Sequence, residues 1–280
     1  MPRPPVVIER ISPPSPRDFE RDYVRRSRPV VITGLADGWR AMSRWTPEYF
    51  KETFGTLPAA VIRLRDGHVF DDPGVGVEYE DTTFARAIDL VFSGEKRDAS
   101  DPALDRDAAP TGVAKHYLVT KIAGPLARLR DDVSSPPYCV RGPLMRSRLF
   151  IGAGGTVSGL HRDFPENLFA QIVGRKRMTL IPPEDMGGVY ALPLLSKLPQ
   201  ASLIDAERPD FERFPRFRTV RRVMVDVGPG DVLYLPSRWW HQVRALEPSI
   251  SINWWWPQGV VNTLRDGFEI LQKRVRRVRW

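Results

Sequence analysis

Between positions 156 and 183 the chain reads TVSGLHRDFPENLFAQIVGRKRMTLIPP, and this stretch constrains the fold more than any other. Alternating and β-branched apolar residues at 149–151, 169–173 and 178–181 predict strands on both sides of a turn at Gly174-Arg175-Lys176-Arg177. On a strand, residues i and i+2 point to one face, so the His161 imidazole and the Asp163 carboxylate can converge on one point. Two ligands do not hold a catalytic metal firmly, so a third must come from elsewhere. The chain has 4 histidines, His68, His116, His161 and His241.

His241 is the best placed of the others. It lies in VGPGDVLYLPSRWWHQV, residues 227–243, a Pro-Gly turn followed by a short apolar strand, a second turn and another strand. Two histidines and one carboxylate form a facial triad, which leaves positions open on an octahedral Fe(II). A structural zinc site would be closed and tetrahedral. A lone His-x-Asp arises often by chance. The second histidine after a Gly-Asp turn, with a lysine-bearing strand between, makes His161, Asp163 and His241 the candidate metal ligands and catalytic residues.

Several further pieces of the chain belong with these. They are Ser158-Gly-Leu-His-Arg-Asp163, the run from Asn167 to Met178, Gly230-Asp-Val-Leu-Tyr-Leu-Pro236, Trp239-Trp-His-Gln-Val243 and Ile250-Ser-Ile-Asn-Trp-Trp255. Arg28-Pro-Val-Val-Ile-Thr-Gly-Leu35 with Trp39 fits the same pattern. Together they resemble the JmjC and cupin-like family of Fe(II)/2-oxoglutarate oxygenases, and more narrowly the hydroxylases of the factor-inhibiting-HIF type. The resemblance implies a mainly β fold with flanking helices, a double-stranded β-helix (jelly-roll or cupin) barrel. It implies Fe(II), 2-oxoglutarate as cosubstrate and dioxygen, with hydroxylation of a C–H bond in a protein or peptide side chain. Lys176 occupies the family's lysine position for the far carboxylate of 2-oxoglutarate, and Ser158 and Tyr117 match its hydroxyl-bearing partners. Asn167 and Asn253 match asparagines near the cosubstrate. The plain structural alternatives are a solvated hairpin for Lys176, a turn hydroxyl for Ser158 and a turn cap for Asn167. Trp239, Trp240, Trp254, Trp255 and Trp256 read as barrel core, with one or two at the mouth.

A chain of 280 residues can bury a full core. The expected division is an oxygenase domain over 1–258 and a basic C-terminal helix over 259–280. One cysteine, Cys139, permits no intramolecular disulfide and suits a reducing compartment. No apolar run approaches the about 20 residues of a membrane span, and the start lacks a signal peptide's apolar core, so a cytoplasmic protein is expected. The net charge is +8, yet lysine supplies only seven of the 42 basic residues. Reading the arginines as scattered, apart from 274–279, argues against nucleic acid as a partner.

Along the chain, 1–14 reads as an extended lead-in, and Ser15-Pro16 opens a helix to about Arg25. A strand is expected over 28–34, a helix over 48–54 capped by Thr46-Pro47 and stopped by Gly55, and a strand over 57–64 before an Asp66-Gly67 turn. A helix over 83–93 carries an apolar stripe, and 95–112 reads as a solvated loop. His116 begins a strand and points away from Tyr117, so it is structural, while His68 is expected to be exposed. Residues 184–222 read as an insertion between barrel strands, a place where the resembled enzymes build part of the substrate entrance. Over 260–278, Val261, Leu264, Phe268, Leu271 and Val275 recur at helical spacing, so this helix should pack on the barrel or on a second copy of itself, and the resemblance, in which C-terminal helices form dimers, implies a homodimer. Arg162, between the two candidate ligands His161 and Asp163, faces away from them, and contact with substrate is one reading of it. Two other readings stay open: hydroxylation of a small-molecule metabolite or biosynthetic intermediate, and a non-oxygenase metal-binding cupin, which has no need of a 2-oxoglutarate clamp at Lys176 and Ser158.

Overall fold

A computed structural model describes residues 5–69, 77–92, 114–139, 145–193, 196 and 198–257. The expected 95–112 loop and the 260–278 helix, with the homodimer built on it, lie outside the described residues. Among the described residues, thirteen strands make up two sheets, accompanied by four short α-helices.

Eight of the strands follow one another between residues 146 and 256. They are β6 (Arg146–Gly152), β7 (Val157–Arg162), β8 (Glu166–Val173), β9 (Lys176–Ile181), β10 (Val223–Val227), β11 (Val232–Leu235), β12 (Trp240–Ala245) and β13 (Ser249–Trp256). β6, β8, β11 and β13 lie in the larger sheet, and β7, β9, β10 and β12 form the smaller one in the order β10-β9-β12-β7. The chain thus winds from sheet to sheet as a double-stranded β-helix. On one side the larger sheet is extended by β1 (Glu9–Ile11) and β2 (Val30–Ile32). On the other it is extended by β5 (His116–Lys121), β3 (Pro58–Arg63) and β4 (Glu78–Thr83).

Alternation decides what each face of the larger sheet does. On β13, Ile250, Ile252, Trp254 and Trp256 join the main core outside the barrel. The intervening Ser251, Asn253 and Trp255 face the barrel interior. The outer core is closed by α1 (Pro16–Phe19), which runs on as a π-turn over Glu20–Val24, and by α2 (Ala41–Arg44), α3 (Pro47–Phe54) and α4 (Phe84–Phe92). Thr46 caps α3 by accepting a hydrogen bond from Tyr49 N at 3.1 Å, and Pro47 fills the first turn. Phe84, Ala87, Ile88 and Val91 of α4 are buried, as their spacing predicts.

The structure adds elements to the sequence reading and changes one expectation. The lead-in carries β1, which pairs in parallel with β2, and Arg10 Nη2 lies 2.6 Å from the Asp231 carboxylate. β1, β4 and α2 are short and largely polar, so no periodicity announces them. His68 is half-buried rather than exposed, because the Asp66-Gly67 turn (φ 47° and 79°) folds its backbone onto Arg65 and Val157.

Residues 184–222 form an insertion over the outer face of the smaller sheet, where Val189, Ile204 and Phe217 pack on Leu160, Ile181 and Trp240.

Candidate functional site

The two histidines sit directly opposite each other on paired strands, His161 on β7 and His241 on β12. Asp163 opens the turn that follows β7. One ligand atom from each of the three residues lies within 4.8 Å of the others. The imidazole centroids are 4.2 Å apart, and His241 Nε2 is 3.8 Å from Asp163 Oδ2. His161 Nδ1 is 2.7 Å from the Gly159 carbonyl and His241 Nδ1 is 3.1 Å from the Trp239 carbonyl. A ring nitrogen facing a carbonyl must carry the proton, so in both rings Nε2 keeps its lone pair for a metal. Asp163 Oδ2 accepts hydrogen bonds from Trp255 Nε1 at 2.8 Å and Asn167 Nδ2 at 3.3 Å. Asn167 Oδ1 in turn accepts from Asn253 Nδ2 at 2.9 Å.

Strand parity would place Ser158 and His161 on opposite faces, since they are three residues apart. The pairing shows why it does not. His161 pairs with His241 but Ser158 pairs with Val243, so β7 spends one more residue than β12 between these points. This β-bulge at Gly159-Leu160 returns Ser158 to the face that carries His161.

Both line one cavity of about 120 Å³ between the sheets, together with Tyr117, Asn167, Lys176 and Asn253. The structure therefore brings every sequence-predicted site residue into one place. Lys176 is only 2% exposed, and its Nζ donates to Ser251 Oγ at 2.9 Å. The rings of Phe169, Tyr117 and Phe150 lie 5.3, 5.8 and 5.9 Å from that ammonium. Burial lowers its pKa from 10.5 to about 7. Tyr117 is hydrogen-bonded to Ser158, and burial pushes its phenol well above the usual value. Its ring lies against Gly152, where a Cβ would come within 2.9 Å of the ring carbons. Gly174 (φ 70°) turns the chain into β9 and delivers Lys176, and a Cβ there would strike the Pro248 carbonyl.

Sequence reasoning missed Ser251 as the partner of Lys176 and Trp255 as a donor to Asp163. Both follow from Asn253 by the i±2 rule on β13. Arg148 and Gln200 also line the cavity, and no local signal marks them. Arg162 faces away from the cavity, as expected. Its guanidinium lies 5.1 Å from the Trp240 ring and 5.5 Å from that of Phe164, while Nη1 is 2.9 Å from Met186 Sδ. These contacts tie it to the insertion, and it is absent from the described lining of the cavity.

Two interleaved sheets with an imidazole–carboxylate–imidazole cluster between them make a cupin-like barrel with a candidate metal site. The chain belongs to the JmjC and cupin-like family, and the profile of the Cupin-like domain matches residues 16–260. Lysine-specific demethylase 8 of Xenopus tropicalis is 30% identical over 256 residues, covering 89% of this chain and 53% of the relative. The human bifunctional peptidase and (3S)-lysyl hydroxylase JMJD7 is 25% identical over 87% of this chain and 82% of its own length. A tRNA wybutosine-synthesizing protein 5 of Gallus gallus is 26% identical over 85% and 73%. The chain spans about half the length of the first of these relatives.

Proposed function

We propose that this protein is an Fe(II)- and 2-oxoglutarate-dependent hydroxylase acting on a C–H bond of a protein or peptide side chain. The observation that carries the reading is the pairing of a His161–Asp163–His241 cluster with a buried lysine in one cavity. The donor set fits the metal, because two neutral imidazoles and one carboxylate suit Fe(II) and leave it room for further ligands. When bound, iron and 2-oxoglutarate supply an oxidant from dioxygen, with succinate and carbon dioxide as by-products.

The chain's own groups do the positioning. His161 and His241 present Nε2, each held in that tautomer by a backbone carbonyl. Trp255 and Asn167 fix the Asp163 carboxylate by hydrogen bonds to Oδ2. Lys176 offers a cation in a dry pocket, where a carboxylate gains a charge-assisted hydrogen bond about twice as strong as a neutral one. Ser158 and Tyr117 stand beside it as further hydroxyl partners. The apolar walls at Ile62, Val69 and Phe169 keep water from the reacting centre. A non-oxygenase cupin would gain nothing from an isolated ammonium opposite its metal. The names of the lysyl hydroxylase and demethylase relatives favour a protein substrate over a small molecule. The single Cys139, buried and with no second cysteine in the chain to pair with, suits a reducing compartment such as the cytoplasm.

The test is succinate release from 2-oxoglutarate with Fe(II) and ascorbate, alongside mass spectrometry of treated cell extract for a gain of one oxygen. His161→Ala is expected to abolish release. Lys176→Ala is expected to raise the 2-oxoglutarate requirement about tenfold or more. An unchanged requirement in Lys176→Ala removes the cosubstrate assignment.

A further inference from the structure

The insertion over 184–222 carries a second feature, distinct from the cavity. Within residues 208–222 there are six arginines and only two acidic residues, Asp210 and Glu212. Four of the arginines lie on aromatic rings. Arg213 sits 5.1 Å from the Phe214 ring centroid, Arg216 4.5 Å from Tyr190, Arg218 4.5 Å from Phe211 and Arg222 4.9 Å from Phe217. All four are exposed. Among the described residues none of them is ion-paired, whereas neighbouring Arg221 is held by Asp185 and Glu184. Asp210 is itself occupied, accepting from the backbone N–H groups of Glu212 and Arg213 at 3.0 Å. A reading of the arginines as scattered overlooks this face.

Stacking on a ring fixes a guanidinium in place while leaving its N–H fork open, so less freedom is lost when it meets an anion. Four exposed cations without a carboxylate partner, Arg213 and Arg216 joined through the Phe214–Tyr190 ring contact and Arg218 and Arg222 across Phe211, call for a partner with several negative charges. The rings already carry guanidinium groups, so they do not offer the free aromatic faces on which single-stranded nucleic acid stacks. The same insertion reaches the catalytic centre, since Gln200 lines the cavity and Ala201 bridges to His161.

We propose that this arginine face is a docking surface for an acidic segment of the protein substrate, which it holds on the insertion that also walls the cavity. The proposal rests on the protein-substrate reading above. The geometry that carries it is the set of four exposed guanidinium groups, each held against a ring and none facing a carboxylate among the described residues. The partner supplies carboxylates, which the planar forks accept in pairs.

The test is fluorescence polarisation on the full chain without metal or 2-oxoglutarate, so a failure of the hydroxylase reading in the succinate assay leaves its outcome readable. The probes are a labelled oligoglutamate and an oligolysine of about 12 residues, and a mixed-sequence single-stranded RNA of about 12 nucleotides, a length that spans several charges. Oligoglutamate is expected to bind, to weaken as salt rises from about 50 to about 200 mM, and to outcompete the RNA. The double variant Arg216→Glu/Arg218→Glu is expected to bind oligoglutamate about tenfold more weakly or worse. Arg216→Lys/Arg218→Lys keeps the charge and is expected to retain most of the binding, which separates recognition from damage to the insertion. Tighter binding of RNA than of oligoglutamate overturns the proposal, as does absence of oligoglutamate binding or an affinity that both double variants leave untouched.

Discussion

Lys176 shows how a single residue can oppose stability in order to serve a site. Its ammonium has one hydrogen-bond partner, Ser251, and is otherwise enclosed by rings. Its folded pKa of about 7 lies below the unfolded value of 10.5. Between these values the unfolded chain binds more protons, so stability rises with pH across that window. The penalty is fully present below about 7 and absent above the unfolded pKa. Lys176→Met is therefore expected to stabilise the ligand-free protein at pH 7 by on the order of 1–3 kcal/mol while weakening 2-oxoglutarate binding about tenfold or more. The gain should vanish near pH 11, a comparison that thermal unfolding at two pH values makes directly. A carboxylate placed beside Lys176 also raises its pKa, so 2-oxoglutarate binding near pH 8 should draw up to one proton from solvent and weaken as pH rises further. Titration calorimetry in two buffers of different ionisation enthalpy measures that uptake, and no uptake would mean that Lys176 is charged before the ligand arrives.

At the scale of elements, the turn between β11 and β12 and the turn between β7 and β8 are tied together. Arg238 N donates to the Asp163 carbonyl at 2.7 Å, and Ser237 Oγ donates to the Phe164 carbonyl at 2.5 Å. Ser237 N donates to the buried Glu166 carboxylate at 3.0 Å, which also accepts from Tyr234 OH at 2.6 Å. The tie keeps His241 in register with the other two ligands. Ser237→Ala removes the hydroxyl link and is expected to weaken metal binding about tenfold, with the fold otherwise intact. Calorimetry with Mn(II) reads the affinity, and an unchanged value would show that strand pairing alone positions β12. Much of this architecture is legible in sequence, because alternation along β8, β9 and β13 reports two-faced strands. The bulge at Gly159-Leu160 is not, since the extra residue leaves the apolar pattern unbroken and appears only against the partner strand. The tie is not legible either, since its donors and acceptors are largely backbone groups that any residue supplies.

The whole molecule divides into a barrel that holds the site and a helical layer that supports the larger sheet from outside. Asp132 fastens that layer. It is 2% exposed, and its carboxylate accepts from Arg44 Nη1 at 3.0 Å, Trp45 Nε1 at 3.1 Å and Tyr49 OH at 3.2 Å. Its backbone carbonyl accepts from Ala41 N at 2.9 Å, so one residue gathers α2, the start of α3 and the 3-10 turn over Gly124–Asp131. Sequence patterning marked the helix α3 and its Thr46 cap but could not mark this hub, because its partners lie more than eighty positions away. Asp132→Ala would strand the buried Trp45 donor and the half-buried Tyr49 donor, at a cost of about 2–4 kcal/mol. For a chain of this size that lowers the melting temperature by about 5 °C or more. Trp45 and Phe50 pack in the outer core with Trp254, on the face of β13 opposite Asn253 and Trp255. Metal and 2-oxoglutarate affinities measured well below the transition should therefore stay within about twofold of the parent protein, as expected for sites that share no partners. A loss of affinity larger than the loss of folded protein would show instead that the helical layer sets the geometry of the cavity through β13.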